Sequence, residues 1–136
     1  MYLLIKLRLN YFLIPLLVII TGSAASYFAQ TGKEWYKTLN LPTWTPTNST
    51  MAFVWAGIFL LSSISVLIIW NKYSRQRNFG LIIMLFILNA MINVGWNIVF
   101  FCHQQLGLAF FEAILLFSNL VLLIILIINS IKFNFK

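Results

Sequence analysis

Residues 79–101, FGLIIMLFILNAMINVGWNIVFF, carry no charged side chain. The stretch exceeds the roughly 20 apolar residues that a helix needs to cross about 30 Å of hydrocarbon. Within it, Asn89, Asn93, Trp96, Asn97 and Phe100 follow spacings of four, three, one and three. At about 100° per residue this gathers them into an arc of about 100°. An amide in hydrocarbon is costly unless it has a partner, so this polar and aromatic face must turn inward. Two readings fit it: the Asn side chains bond across helices as packing glue, or Trp96 and Phe100 form flat walls of a cavity into which the amides point.

Three further segments, 11–30, 51–70 and 106–129, pass the same length and hydropathy test. Lipid forces each to be helical, because its backbone groups must be satisfied within the segment. The alternation of a membrane β-barrel is absent. The chain is 62% hydrophobic and 8% charged, against about half and about a quarter in soluble domains. The expected fold is therefore all-α: an integral membrane bundle of four transmembrane helices, one domain over residues 1–136, with an ordered loop at 31–50.

The net charge of +7 sits at helix ends and forms no basic and aromatic stripe, which argues against nucleic acid as a partner. Lys6, Arg8, Lys72, Arg75, Arg77, Lys132 and Lys136 share one side of a four-helix bundle, and only Lys33 and Lys37 lie on the other. The positive-inside rule then puts both termini and the 71–78 connection in the cytoplasm. The run from Tyr11 to Ile20 followed by Gly22-Ser23-Ala24-Ala25 mimics a cleavable signal, but apolar character continues through Tyr27 and Phe28 and favours a retained helix. Cys102 is the single cysteine, so no internal disulfide forms.

The loop, TGKEWYKTLNLPTWTPTNST, is rich in Trp, Tyr and Pro. Pro42 and Pro46 flank Trp44 and stiffen the segment that presents it. A loop of this length is often a lid, while Trp and Tyr also gather at headgroup depth whatever the function. Asn48-Ser49-Thr50 matches a glycosylation sequon, but Ser49 or Thr50 is placed to cap the second span.

In that second span Trp55, Phe59 and Ser62 repeat the four-and-three spacing, with Ser63 and Val66 beside them. Such a stripe serves packing or the second wall of a site for a flat molecule. Gly22 and Ser26 form a small-xxx-small pair suited to close helix approach within the bundle or to a dimer contact. Glu112 is the one acid inside a span: a proton or counter-charge site, or a neutral hydrogen-bonded side chain. His103 has no second ligand at metal-binding spacing, so no metal site is expected. With no phosphate loop, zinc motif or nucleophile elbow, and only Glu34, Glu112 and His103 for acid and base work, catalytic residues are not assigned.

Trp35-Tyr36, Leu39, Pro42, Trp44-Thr45-Pro46, Phe53 and Trp55, followed by Asn89, Asn93, Trp96 and Phe100-Phe101, and then Ala109 and Glu112, form a pattern over roughly residues 15–130. It resembles the tryptophan-rich sensory proteins, the family that includes the mitochondrial translocator protein or peripheral-type benzodiazepine receptor. The resemblance implies a dimeric membrane bundle that binds porphyrin, haem or other flat hydrophobic ligands such as sterols, and requires no cofactor. By position the ligand site takes Ser26, Tyr36, Pro46, Trp55, Phe59, Asn89, Asn93, Trp96 and Phe100, with Trp35 and Trp44 as lid residues. Three departures stand out. Thr47 replaces the second of two adjacent prolines, Asn89 replaces a glutamine, and the family's fifth helix with its Leu-Pro-Tyr-x-x-Trp signature has no counterpart in these 136 residues.

The function expected is a receptor or carrier for tetrapyrroles and similar ligands, with the lipid bilayer, the small ligand and a second copy as partners. The alternatives are light- or oxygen-dependent porphyrin degradation, a proton-coupled exporter using Glu112, and an inactive short member of the family. The expected location is the cytoplasmic membrane of a bacterium or the outer mitochondrial membrane of a eukaryote.

Overall fold

The computed structural model describes residues 2–134, and side chains from Leu9 to Phe133. Lys136 and the side chains of Lys6 and Arg8, all counted in the charge balance, lie outside the described residues. The chain folds as α1 (Tyr2–Thr31), the short α2 (Lys33–Lys37), α3 (Asn48–Tyr73), α4 (Phe79–Asn97) and α5 (Leu106–Asn134). Four stretches are long and apolar enough to span a bilayer: Leu9–Thr31, Asn48–Tyr73, Phe79–Cys102 and Leu106–Phe133. They contain the four expected segments and extend most of them by a few residues, because polar termini such as Asn48 and Lys72 still complete helical turns. The protein is an integral membrane protein of all-α architecture.

The helix starts follow local chemistry. Thr47 is the N-cap of α3: its backbone is extended (φ −65°, ψ 158°) and its hydroxyl accepts from the Thr50 N–H at 3.3 Å. Its hydroxyl also lies 2.9 Å from that of Thr50. The expectation that Ser49 or Thr50 caps the helix is thus corrected. The cap falls earlier, on the residue after Pro46, and Ser49 and Thr50 are already helical. Pro15 lies inside α1, where its ring removes one backbone donor; membrane helices tolerate this.

The expected 31–50 loop is shorter and partly helical. Thr31 belongs to α1, residues 33–37 form α2, and Asn48 opens α3, which leaves 38–47 as loop. There Thr45 N–H donates to the Pro42 carbonyl at 3.1 Å, closing a turn with Trp44 near its tip.

Helix α4 is the hub, packing closely on α1 and α5, while α1 also packs along α3. By contrast α3 and α5 meet only sparsely. The tight core, Ile69, Ile82, Leu85 and Leu123, is flanked by Tyr73, Phe79, Ile83, Phe86, Leu126 and Ile127. It lies at the end of the bundle that carries the 71–78 turn. Trp70 meets Phe79 edge-on at 5.2 Å across that turn. Further along, Asn89 Nδ2 donates to Asn119 Oδ1 at 3.0 Å, and Asn119 Nδ2 donates to the Leu85 carbonyl at 3.3 Å. Small residues serve the packing: Gly22 leaves room for the Phe59 ring, which a methyl there would meet at 3.4 Å, whereas Ser26 faces outward.

Candidate ligand site

At the opposite end α4 gives way to a π-helical turn, Ile98–Cys102. His103 N–H donates to the Ile98 carbonyl at 3.0 Å, and Gln104 then takes a positive φ of 55° before α5 begins. Such turns insert a residue into a helix and re-aim its side chains. Here it presents Phe100 and Phe101 to their neighbours. Phe100 stacks on Trp96, with centroids 4.8 Å apart and planes 11° from parallel. From α2, Trp35 packs edge-on to Phe100 at 5.5 Å, and Tyr36 lies 6.2 Å from Phe100 and 5.9 Å from Phe101. Gly32, buried, makes this seat possible: a methyl there would stand 2.5 Å from the Phe101 carbonyl oxygen.

Behind Trp96 lies a cavity of about 200 Å³ lined by Trp55, Asn93, Trp96, Ala113 and Leu116. Trp96 is held in the wall by its indole N–H, which donates to the Ala109 carbonyl at 3.0 Å. Asn93 is 7% exposed and is the one amide side chain among the five lining residues. Phe59 supports Trp55 at 6.0 Å between centroids. The cavity is therefore an apolar slot between aromatic walls with a single amide in its lining. A wider hollow of about 360 Å³ along Phe117, Ser118, Val121, Leu122 and Ile125 belongs to one helix alone. Its Ser118 hydroxyl is already bonded to the Ile114 carbonyl at 2.9 Å, so it offers little beyond an outer surface.

Among the residues picked out in the sequence, Trp55, Asn93 and Trp96 line the cavity, and Phe59, Phe100, Tyr36 and Trp35 stand behind or above them. Four residues are placed elsewhere. Asn89 bonds to Asn119 as interhelical glue, Ser26 and Pro46 are exposed, and Trp44 is 80% exposed at its turn. Ala113 and Leu116 were not singled out, being ordinary apolar residues without a distinguishing signal. Asn119 was legible only as one more amide in α5, spaced seven residues from Glu112 on the same face.

Glu112 is half-buried beside Gly95: its Oε1 would lie 4.0 Å from a methyl placed there, and its Oε2 is sealed from solvent with no hydrogen-bond partner among the described residues. Cys102 Sγ lies 3.0 Å from the Thr31 hydroxyl. Outside the membrane, Glu34 accepts from Lys37 Nζ at 2.9 Å, and that bond together with the charge of Lys37 holds its carboxyl below the ordinary value. Among the described residues no three His, Cys, Asp or Glu side chains gather as a metal site would require.

The TspO/MBR family model matches residues 12–134, a range that includes the aromatic loop, the α4 face and Glu112. The chain belongs to the TspO/MBR family. Among curated members, the tryptophan-rich protein TspO of Bacillus cereus is 34% identical over 101 residues, which is 74% of this chain and 64% of that protein. The uncharacterized membrane protein YtaB of Bacillus subtilis is 29% identical over 106 residues, 76% of this chain and 66% of its own length. The tryptophan-rich protein TspO of Chlorobaculum tepidum is 26% identical over 107 residues, 78% and 68% of the two chains. The chain thus spans about two thirds of the length of the TspO/MBR relatives it matches.

Proposed function

We propose that this TspO/MBR protein is a membrane receptor or carrier for tetrapyrroles or similar flat hydrophobic molecules. One observation carries the reading: Trp55 from α3 and Asn93 and Trp96 from α4 converge on a single apolar slot. Aromatic walls reward a flat apolar ligand, and the slot is almost wholly apolar, with the Asn93 side chain nearly buried in its lining. No covalent chemistry and no cofactor are required. The slot is smaller than the roughly 300–1,000 Å³ of sites that engulf drug-sized ligands, so a macrocycle inserts an edge and extends beyond it. Porphyrin propionates would face the loop end, toward the exposed Lys33 and Lys37. The proposed topology places the termini and the Lys72, Arg75 and Arg77 cluster in the cytoplasm. A homodimer in the cytoplasmic membrane of a bacterium completes the reading, since the relatives above are bacterial.

The test is a titration of detergent-solubilised protein with protoporphyrin, following tryptophan emission in the parent and in a Trp55→Ala, Asn93→Ala double variant. Saturable quenching lost in the variant supports the reading; linear quenching identical in both removes it. A second reading, proton-coupled export, rests on the partnerless Glu112 Oε2. In reconstituted vesicles Glu112→Gln would then stop transport and spare binding.

A further inference from the structure

One span ends at Tyr73 and the next begins at Phe79, leaving residues 74–78 to join them. Even fully extended, so few residues reach no further than about 18 Å, and this connection is folded into a turn. The Gln76 N–H donates to the Tyr73 carbonyl at 3.0 Å, and the Phe79 N–H to the Gln76 carbonyl at 3.1 Å. The turn is therefore held at the membrane boundary, where a longer loop could carry its side chains off into water.

Lys72, Arg75 and Arg77 are all exposed there. These 136 residues hold two acids, Glu34 and Glu112, and both lie toward the other end of the bundle. Glu34 is in α2, paired with Lys37 at 2.9 Å, and Glu112 is seven residues into α5. The span between the turn and α5 covers 24 residues, which at 1.5 Å each leaves Glu112 roughly 25 Å from the turn. Neither acid can pair with these three cations. Lys72 lies in the last turn of α3, where a cation also favours the helix end. Arg75 and Arg77 lie beyond α3 and before α4, so no such account covers them. The positive-inside rule explains which side such residues take, but not what neutralises them there. A guanidinium presents a planar fork of N–H donors that matches a phosphate. At a bilayer boundary the headgroups supply phosphates, and the cytoplasmic leaflet, which the proposed topology gives to this turn, is the one with anionic lipid. A zwitterionic choline headgroup brings its own cation and cancels the attraction, so the surface favours a headgroup of net negative charge. Trp70 and Tyr73, half-buried beside the turn with Trp70 edge-on to Phe79, are of the aromatic types that gather at headgroup depth.

We infer that Lys72, Arg75 and Arg77 form a docking surface for the headgroup of an anionic phospholipid, with Arg75 and Arg77 as its phosphate contacts. The surface stands apart from the slot and does not depend on the receptor reading.

The test reconstitutes the full chain in phosphatidylcholine vesicles carrying a trace of spin-labelled lipid, either phosphatidylglycerol or phosphatidylcholine. Electron paramagnetic resonance reads the fraction of each label immobilised at the protein surface. The parent is expected to immobilise phosphatidylglycerol several-fold over phosphatidylcholine. An Arg75→Gln, Arg77→Gln variant is expected to bring the two lipids close to parity, and an Arg75→Lys, Arg77→Lys variant to keep most of the preference, with helicity confirming that each folds. No preference in the parent overturns the inference. So does a preference that the Gln variant keeps in full, which would put the anion elsewhere on the chain. A loss as large in the Lys variant also overturns it, because the shape of the turn rather than its charge would then be responsible. Inorganic phosphate, compared with chloride at equal ionic strength, is expected to leave the preference unchanged; if phosphate abolishes it, the turn takes a soluble anion and the lipid assignment falls.

Discussion

Asn93 and Asn89 sit one helical turn apart on the same face of α4, yet one lines the cavity and the other bonds Asn119. The sequence pattern placed both amides inward, because hydrocarbon permits nothing else. It could not divide them, since the division depends on which residue of α5 lies opposite: an amide at 119, but Ala113 and Leu116 at the slot. The structural pair is open to test. Asn119→Leu removes both its bonds, to Asn89 and to the Leu85 carbonyl, and should lower resistance to unfolding in mixed micelles by about 0.6–2 kcal/mol, the range for interhelical bonds in membranes. Protoporphyrin binding should be retained. Asn93→Leu should do the reverse, weakening binding by reshaping the slot lining with little loss of stability.

Among the elements, the spans were legible from hydropathy and length, and the short α2 was not. Five residues carry too little pattern to distinguish a helical turn from a loop. What fixes α2 is tertiary, the seat of Trp35 and Tyr36 on Phe100 and Phe101. The π-helical turn was invisible for the same reason, as its residues Ile98–Cys102 read as a continuation of α4. Gly32→Ala should therefore cost about 1–3 kcal/mol through overpacking against Phe101, measured by thermal denaturation in detergent. Thr47→Ala should cost about 0.5–2 kcal/mol by uncapping α3. The Glu34 bond to Lys37 adds a pH dependence. Because the folded carboxyl titrates below its ordinary value, the contribution is present above that value and lost as pH falls through the depressed one. Lys37→Met should abolish the acid-side change in α2 helicity, followed by amide exchange at residues 33–37.

For the whole molecule, the sidedness proposed from the charge balance is testable with the native thiol. Cys102 is exposed at the loop end, opposite the 71–78 turn. If the termini are cytoplasmic, a membrane-impermeant maleimide should label it in intact cells and should leave a Ser74→Cys, Cys102→Ser variant unlabelled until the cells are opened. The opposite pattern would invert the proposed topology. The uneven distribution of packing has a mechanical meaning as well. Ile69, Ile82, Leu85 and Leu123 clamp three helices together at one end, while over their whole length α3 and α5 meet only sparsely. The bundle is built like a clothes-peg, with its spring in that cluster and its jaws at Trp55 and Ala113. On the receptor reading proposed above, a bulky ligand would be accommodated by pivoting whole helices about this cluster, with the cluster itself left intact.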